Sequence, residues 1–209
     1  MSILLGTQEE DQVLDLCIGE DLLKCSLFLE ENGSRVKTHN GWSMLMCAAF
    51  YDSVSLVELL LTRKAYESEH EVYSSVRLAI IGQSHLALEA LLAHKELKWD
   101  LEDPAFQKSI HRAAQDHDCV AIELLCSHGL DPNCVDEYGS TPLHYAVEDI
   151  TGDSINTLLQ LGADPCVKND EGRTAYDILV DTPGLSSSTG VSILLRHMAM
   201  IPQEKGEDF

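Results

Sequence analysis

The sequence predicts an all-α solenoid of about six stacked helix-turn-helix units. The first supporting observation is the segment at residues 136–164, whose residues are typical of a turn, a short helix, a turn, a longer helix and a stop. The second is that small or apolar residues recur at intervals of 31, 31, 34, 33 and 33 residues. The third is a hydrophobic fraction of 44%, which is enough for a continuous core. A single helix pair of this size cannot bury its apolar stripe, so the units are expected to stack.

The segment 136–164 shows each element of one unit. Tyr138-Gly139 is a turn signal, Thr141 is placed to cap a helix, and Pro142 suits the first helical position. Gly162 sits where the second helix must stop in a left-handed conformation. Between these signals a small residue keeps the first helix slim and three apolar residues give the second helix one buried face: Ala146, Ile155, Leu158 and Leu159.

The other units are found by aligning the small residue of each one, at Cys17, Ala48, Ala79, Ala113, Ala146 and Leu179. The alignment predicts one domain at residues 1–201 with repeats at about 7–37, 38–68, 69–102, 103–135, 136–168 and 169–201, followed by a polar tail at 202–209. The third repeat keeps only its apolar core and has no recognisable hairpin. The sixth carries an insertion at 182–190 before a closing helix from 191 to about 201.

Residues 139–144, Gly-Ser-Thr-Pro-Leu-His, together with Leu158-Leu159 and the Gly-Ala-Asp sequence at 162–164, closely resemble the ankyrin repeat. The signature of that family is T-P-L-H-x-A at a period of about 33 residues. The resemblance implies short β-hairpin loops between the units. It also implies a concave face, built from the first helices and the hairpin tips, that binds other proteins. His144, and His111 at the same position, would bridge loop backbones and not act in catalysis.

The exposed variable positions of the family place aromatic residues on this face in the second repeat. They are Trp42, Phe50 and Tyr51, and Tyr73 of the third repeat is a loosely aligned counterpart. Tryptophan and tyrosine are the usual anchors of binding hot spots. We therefore predict that these residues contact a partner. The alternative is that the second repeat is distorted and that the rings pack against the third.

The same positions further along the chain are mostly acidic, with Arg173 the main exception. This predicts a partner segment with Lys or Arg at one end and an apolar anchor at the other. The alternative is a solvated charged face. The predicted contact residues here are Asp116, Glu137, Tyr138, Glu148, Asp149, Asp170, Glu171 and Asp181.

The formal net charge of −21, from 14 Lys and Arg against 35 Asp and Glu, disfavours nucleic acid and anionic membranes as partners. No apolar run approaches the length of a membrane span, and the first residues lack the features of a signal peptide. We expect a monomer inside the cell, in the cytoplasm, the nucleus or both.

The cysteines and histidines show no pattern of a metal site or a catalytic site. The seven cysteines lack C-x-x-C spacing. Cys17, Cys47 and Cys166 fall on small or apolar repeat positions, which favours reduced, buried thiols. G-x-S-x-G and a phosphate-binding loop are both absent from the sequence. We therefore predict no enzyme activity, no metal and no cofactor.

Two further hypotheses concern modification and the type of interaction. Asn133, with Asp131 before it, resembles the site of the asparaginyl hydroxylase that acts on ankyrin repeats, although asparagine is also the family's turn residue. The leading hypothesis is a non-catalytic protein-binding module. The alternatives are a stoichiometric inhibitor that masks a partner's functional surface and a substrate adaptor of a larger complex.

Overall fold

The computed structural model describes residues 3–4, 15–18, 22–33, 36–38, 41–185 and 189–200. The chain divides into two compact units, an N-terminal unit, Met1–Ser109, and a C-terminal unit, Ile110–Phe209. Each unit is built from pairs of antiparallel helices, and the predicted fold class is confirmed.

The N-terminal unit contains two very short strands that pair in parallel, β1 Ile3–Leu4 at its start and β2 Val36–Lys37 after the helix Leu22–Asn32. Residues 15–18 form a helical turn. The helices that follow are α1 Leu22–Asn32, α2 Met44–Phe50, α3 Val54–Thr62, α4 Glu69–Ile81, α5 His85–Leu92 and α6 Pro104–Gln115. Helix α6 contains the boundary to the next unit.

The C-terminal unit continues with α7 Cys119–Ser127. A short helix, α8 Pro142–Tyr145, passes into a 3₁₀ turn, Ala146–Glu148. The remaining helices are α9 Asp153–Gln160, α10 Ala175–Asp181 and α11 Thr189–Met200. One helix pair falls within each of the predicted ranges from 38–68 to 169–201, and the repeat boundaries themselves stay a prediction. The polar tail at 202–209 lies outside the described residues.

The turn between the two helices of a pair has the same backbone conformation in four places. Asp52, Gln83 and His117 have φ of 58°, 54° and 57°, and Gly152 has φ of 77°. A residue with a side chain adopts this left-handed conformation at a cost of about 1–2 kcal/mol. Three different residue types adopt this costly conformation. We therefore infer that the packing of the two helices, and not the residue type, determines the conformation of the turn.

The core contains the residues that the repeat alignment predicts. All six aligned positions, from Cys17 to Leu179, are 0% exposed. The predicted stacking leucines of the second helices are also 0% exposed: Leu60, Leu91, Leu125 and Leu158. Each small residue lets the neighbouring helix approach closely. Burial of each leucine stabilises the fold by about 25 cal/mol for every Å² of apolar surface removed from water.

Candidate functional site

The hairpin tip at residues 136–140 is a tight turn closed by backbone hydrogen bonds. The Asp136 amide donates to the Ser140 carbonyl at 3.1 Å, and the Gly139 amide donates to the Asp136 carbonyl at 3.1 Å. Gly139 has φ of 66°, a conformation that glycine adopts without steric cost. The predicted turn at Tyr138-Gly139 is confirmed.

His144 joins its own helix to the next hairpin. Its Nδ1 accepts the Thr141 amide at 3.1 Å, so the proton of the neutral ring lies on Nε2. Nε2–H then donates to the Arg173 carbonyl at 3.1 Å. His111 makes the matching contact to the Ser140 carbonyl at 3.0 Å. Burial lowers the pKa of His144. The predicted bridging role of both histidines is confirmed.

Asp136 and Tyr145 form a polar pair beneath the hairpin that sequence reasoning missed. The Tyr145 hydroxyl donates to Asp136 Oδ2 at 2.5 Å, and Oδ1 accepts the amides of Tyr138 and Ser140, both at 2.9 Å. Burial opposes the charge of Asp136, but these hydrogen bonds outweigh it and lower its pKa. Burial and the bond to Asp136 raise the pKa of Tyr145 to about 12. An aspartate before a turn signal could have indicated the Asp136 contacts to the amides.

An open cleft of about 400 Å³ lies beside this hairpin in the C-terminal unit. We call it the acidic cleft. His144 and Tyr145 form part of its wall. Four predicted contact residues come together there: Tyr138, Glu148, Asp170 and Glu171. Glu137 is exposed on the same hairpin tip but is not part of the lining.

The acidic cleft carries a strong excess of negative charge. Its described lining includes the carboxylates of Glu148, Asp170 and Glu171 and no Lys or Arg. The surrounding residues 136–181 contain ten Asp and Glu side chains in all against only Lys168 and Arg173. Arg173 is already engaged, since its Nη2 lies 2.8 Å from Asp181 Oδ2. Within the described residues, neither Glu148 nor Asp170 takes part in an ion pair. Both side chains are exposed, so they are available to a cation from outside.

Asp149 differs from the prediction, because it is buried and has a structural role. It is only 6% exposed. Its Oδ2 accepts the amide and the hydroxyl of Ser154 at 2.9 and 2.8 Å, and its Oδ1 accepts the Thr151 hydroxyl at 2.7 Å. Burial opposes the charge, but these bonds hold its pKa well below the usual range. The predicted exposure is wrong because the chain turns here and directs the carboxylate to the start of α9.

Three other predicted acidic residues are partly neutralised. The Asp116 carboxylate lies 2.6 Å from Arg112 Nε one helical turn before it. Asp181 is the close partner of Arg173, and Glu171 lies 4.0 Å from the same guanidinium. Such solvent-accessible pairs contribute little to stability. They do reduce the negative charge that these three residues offer to a partner.

The predicted aromatic residues of the second repeat form a cluster in the N-terminal unit, which we call the aromatic patch. The ring centroids of Trp42 and Phe50 are 5.3 Å apart, and those of Phe50 and Tyr51 are 5.1 Å apart in an edge-on arrangement. Trp42 and Phe50 are half-buried, and Tyr51 is 41% exposed. The rings support one another and still offer apolar area to solvent.

Tyr73 is not part of such a surface, and its predicted exposure is wrong. It is 3% exposed and stacks on Phe106, with ring centroids 5.4 Å apart. The reason is that the third repeat lacks a hairpin. Helix α4 begins at Glu69, ten residues before Ala79, whereas α2 begins only four residues before Ala48. Tyr73 therefore lies inside a helix and fills the space that a hairpin occupies elsewhere.

Asn133, the predicted hydroxylation site, connects two loops. Its Nδ2 donates to the Gly162 carbonyl at 3.0 Å, and its Oδ1 accepts the Asp164 amide at 2.7 Å. Both polar groups of the side chain are thus engaged in hydrogen bonds that join the two loops, as expected of a structural turn residue. Hydroxylation of Asn133 stays a prediction.

All seven cysteines are free thiols in the structure. Cys17 and Cys47 are buried as predicted, but Cys166 is exposed because it lies in the turn after Asp164, whose carboxylate accepts its amide at 2.8 Å. Burial raises the pKa of Cys126 to about 11 and that of Cys134 to about 12. Throughout the described part of the chain, no three His, Cys, Asp or Glu side chains are grouped so that they could hold a metal ion.

The chain matches two family models, "Ankyrin repeats (3 copies)" at residues 76–169 and "Ankyrin repeat" at residues 40–67. Together they match more than half of the 209 residues, so the chain belongs to the ankyrin repeat family. Ankyrin repeats are protein–protein interaction modules. The predicted family and the general class of function are therefore confirmed.

Among curated proteins, the chain is 41% identical over 71 residues to mouse 2-5A-dependent ribonuclease, covering 34% of this chain and 10% of that protein. It is 32% identical over 85 residues to mouse protein phosphatase 1 regulatory subunit 27, covering 41% of this chain and 55% of that protein. The chain thus spans between about a tenth and about half of the length of these relatives.

Two solved structures share the fold. The human ASB11 ankyrin repeat domain superposes with a TM-score of 0.70 at 23% identity, over 88% of this chain and 81% of that one. A chain of the Bdellovibrio bacteriovorus complex between the predatory endopeptidase Bd0816 and the immunity protein Bd3460 gives a TM-score of 0.64 at 22% identity, over 88% and 96%. Separately, none of the helices in the described ranges combines the length and the apolar character that a membrane crossing needs.

Proposed function

We propose that the C-terminal unit binds a basic segment of a protein partner in the acidic cleft. The observation that carries the proposal is that Glu148 and Asp170 line one open cleft without an ion pair within the described residues, next to the 64% exposed ring of Tyr138. Charged side chains of opposite sign gain affinity and association rate from such a field. The tyrosine offers a rigid aromatic surface for the stem of a Lys or Arg side chain.

The aromatic patch of the N-terminal unit supplies the apolar contact of the proposal. Tyr51 extends into solvent, and Phe50 holds it edge-on. An exposed aromatic cluster favours a binding role, because contiguous exposed apolar patches usually mark interaction sites, whereas single scattered apolar residues do not. The partner would therefore present an apolar side chain as well as basic ones.

The test measures the binding of a dye-labelled peptide that alternates Arg and Leu, by fluorescence anisotropy. We compare Glu148→Gln with Glu123→Gln, because both remove one exposed negative charge and Glu123 lies on α7, outside the cleft. We expect Glu148→Gln to weaken binding by about two- to fivefold, the range of an exposed ion pair. The double variant Glu148→Gln with Asp170→Asn should weaken it further, and Glu123→Gln should have less than half the single effect.

Equal losses in Glu148→Gln and Glu123→Gln would contradict the proposal, because they would show attraction by net charge alone. A salt series adds a second criterion. Raising ionic strength from about 0.05 to 0.5 M should slow association strongly, and the wild type should lose more affinity than the double variant.

For the aromatic patch, Trp42→Ala with Tyr51→Ala should abolish capture of a partner that has an apolar anchor. Helicity and melting temperature should change little, because both rings have solvent contact. A large loss of stability would instead show that the rings belong to the core.

A second candidate is that the chain regulates an enzyme by masking part of its surface. The observation in its favour is the 32% identity to a protein phosphatase 1 regulatory subunit over 85 residues. Addition of the purified chain to an activity assay of the captured partner distinguishes this role from simple attachment. Inhibition at one-to-one stoichiometry supports masking, and unchanged activity supports attachment or an adaptor role.

The remaining properties of the proposal follow from composition. A net charge of −21 disfavours nucleic acid and anionic membranes as ligands, and seven free thiols favour a reducing intracellular compartment. The protein would act as a non-catalytic monomer without a cofactor. Sedimentation of the purified chain with and without partner tests the monomer assignment.

A further inference from the structure

Asp136 lies beneath the hairpin tip but is not among the described residues that line the acidic cleft. Its carboxylate accepts hydrogen bonds from the amides of Tyr138 and Ser140 at Oδ1 and from the hydroxyl of Tyr145 at Oδ2. A carboxylate has about four acceptor sites. Most of them are therefore used inside the protein, so this geometry does not favour a direct contact between Asp136 and a partner cation.

The backbone of Tyr138 is held on both sides. Its amide donates to Asp136 Oδ1 at 2.9 Å, and its carbonyl accepts the amide of Asp170 at 3.0 Å. In the described part of the chain the Tyr138 amide has no other hydrogen-bond partner. The side chain on this fixed backbone lines the acidic cleft and is 64% exposed. Asp136 thus holds the residue that offers an exposed ring to a partner.

Tyr145 fixes the Asp136 carboxylate from the helix side. Its hydroxyl donates to Oδ2 at 2.5 Å, and its ring stands edge-on to that of His111 with centroids 5.7 Å apart. His111 in turn contacts the Ser140 carbonyl at 3.0 Å. The turn and the carboxylate beneath it are therefore ordered before any partner arrives. Order that exists before binding lowers the entropic cost of binding.

We propose that Asp136 is a positioning residue of the acidic cleft. It fixes Tyr138 in the conformation that contacts the basic segment, and Tyr145 fixes Asp136. The inference rests on the proposed function, because it concerns how the same cleft binds its partner. It adds that a residue without contact to the partner determines part of the affinity, through its hydrogen bonds and not only through its charge.

The first test compares Asp136→Asn with Asp136→Ala in the anisotropy assay with the peptide that alternates Arg and Leu. Both variants remove the same negative charge. Asparagine still accepts both amides at Oδ1, and its Nδ2 can donate to the Tyr145 hydroxyl, whereas alanine loses all of these bonds. We expect Asp136→Asn to weaken binding by no more than about twofold. Asp136→Ala should weaken it by a further factor of about three to ten, which corresponds to ordering one side chain on binding.

The same pair of variants in a Tyr138→Ala background shows whether Asp136 acts through Tyr138. Without the ring there is nothing left to position, so the two variants should bind with nearly the same affinity. A merely structural role of Asp136 would leave the difference between them unchanged. That result would overturn the proposal, and so would equal binding of the two variants when Tyr138 is present.

A second measurement needs no partner. NMR relaxation gives the backbone order parameter of Tyr138, which is about 0.85 for a rigid backbone and below about 0.6 for a flexible one. We expect a rigid value in the wild type and in Asp136→Asn, and a value that falls toward the flexible range in Asp136→Ala. Tyr145→Phe removes only the hydroxyl bond and should give an intermediate value. Leu125, buried on α7, is the internal control and should stay rigid in all variants.

The two measurements separate this inference from the proposed function. An unchanged order parameter of Tyr138 in Asp136→Ala would overturn the positioning role even where the wild type binds the peptide. Failure of the wild type to bind the peptide would instead overturn the proposed function, and with it the effect of Asp136 on affinity.

Discussion

Repeats 69–102 and 136–168 solve the same packing problem with different chemistry. In the later repeat the hairpin is held by hydrogen bonds: Asp136 accepts the Ser140 amide, and His111 contacts the Ser140 carbonyl. In the earlier repeat there is no such hairpin, and Tyr73, Trp99 and Phe106 stack in its place. Hydrogen bonds therefore stabilise the loop region of the later repeat, whereas the burial of apolar rings stabilises that of the earlier repeat.

The difference shows what a repeat must supply to its neighbour. Ala79 and Ala146 are both fully buried, so both repeats keep a small residue inside the helix pair. The loop can vary because it only has to cover the ends of the helices and satisfy its own backbone. The acidic cleft also lies at this variable part, beside the hairpin at residues 136–140.

The largest effect that would separate the two repeats is expected from Phe106→Ala. Phe106 is 0% exposed and contacts both other rings of its group. Removal of a buried phenylalanine costs about 3–5 kcal/mol, because the cavity adds to the lost transfer energy. Urea unfolding measures the change, and Phe106→Leu should cost less than half as much. A cost below about 1 kcal/mol would show that the stack is not what holds the earlier repeat.

The matching change in the later repeat, His144→Ala, should cost less. It leaves the Thr141 amide and the Arg173 carbonyl without their partner, for which about 1–3 kcal/mol is typical. Urea unfolding again gives the value. His128→Ala is the control, since the hydrogen bonds of this half-buried side chain within the described residues go to Leu124 and Ser127 of the preceding helix; it should stay within about 0.5 kcal/mol. Similar costs at both histidines would remove the special role of His144.

Gly139→Ala tests how closely the hairpin approaches the next one. At φ of 66° a side chain costs about 1–2 kcal/mol. The added Cβ would also lie 2.6 Å from Asp170 Oδ1. Gly172→Ala is the control, since its φ is 75° and nothing lies within 4 Å of its Cβ position. The excess cost of Gly139→Ala over the control measures the contact alone, and no excess would mean that Asp170 moves aside freely.

The smallest effect is a pH dependence that only the later repeat should show. Burial depresses the pKa of His144, so the folded state binds its proton less tightly than the unfolded state. Stability from this group is therefore present above the unfolded pKa, about 6.5, and is lost as pH falls through the depressed folded value. His144→Gln can still accept the Thr141 amide but does not titrate. Wild type should lose more stability than this variant between about pH 7.5 and 5.5, and parallel curves would contradict the assignment.

Local signals in the chain predicted most of the fold. The turn at Tyr138-Gly139, the start at Pro142 and the stop at Gly162 all depend on contacts within a few residues, and all were predicted correctly. The period of the small residues predicted six buried positions across the chain. Such patterns are visible in the sequence because each repeat needs the same kind of residue at the same position.

The candidate site was predicted only in part. Tyr138, Glu148, Asp170 and Glu171 line the acidic cleft, because the repeats that contain them follow the family pattern. Asp149 and Tyr73 did not follow it, since one caps α9 and the other lies within an extended helix.

The sequence alone determined that this protein is an acidic array of helix pairs with one small or apolar residue buried in each. These properties depend on period and composition, which a linear chain displays directly. Only the tertiary structure decided which carboxylates face solvent, which are used as caps, and which aromatic rings form a core and which a surface. Those outcomes depend on side-chain direction and on contacts between residues about thirty positions apart, such as Tyr73 with Phe106 or His144 with Arg173. The stability of these contacts depends on a three-dimensional geometry that no single segment of the sequence contains.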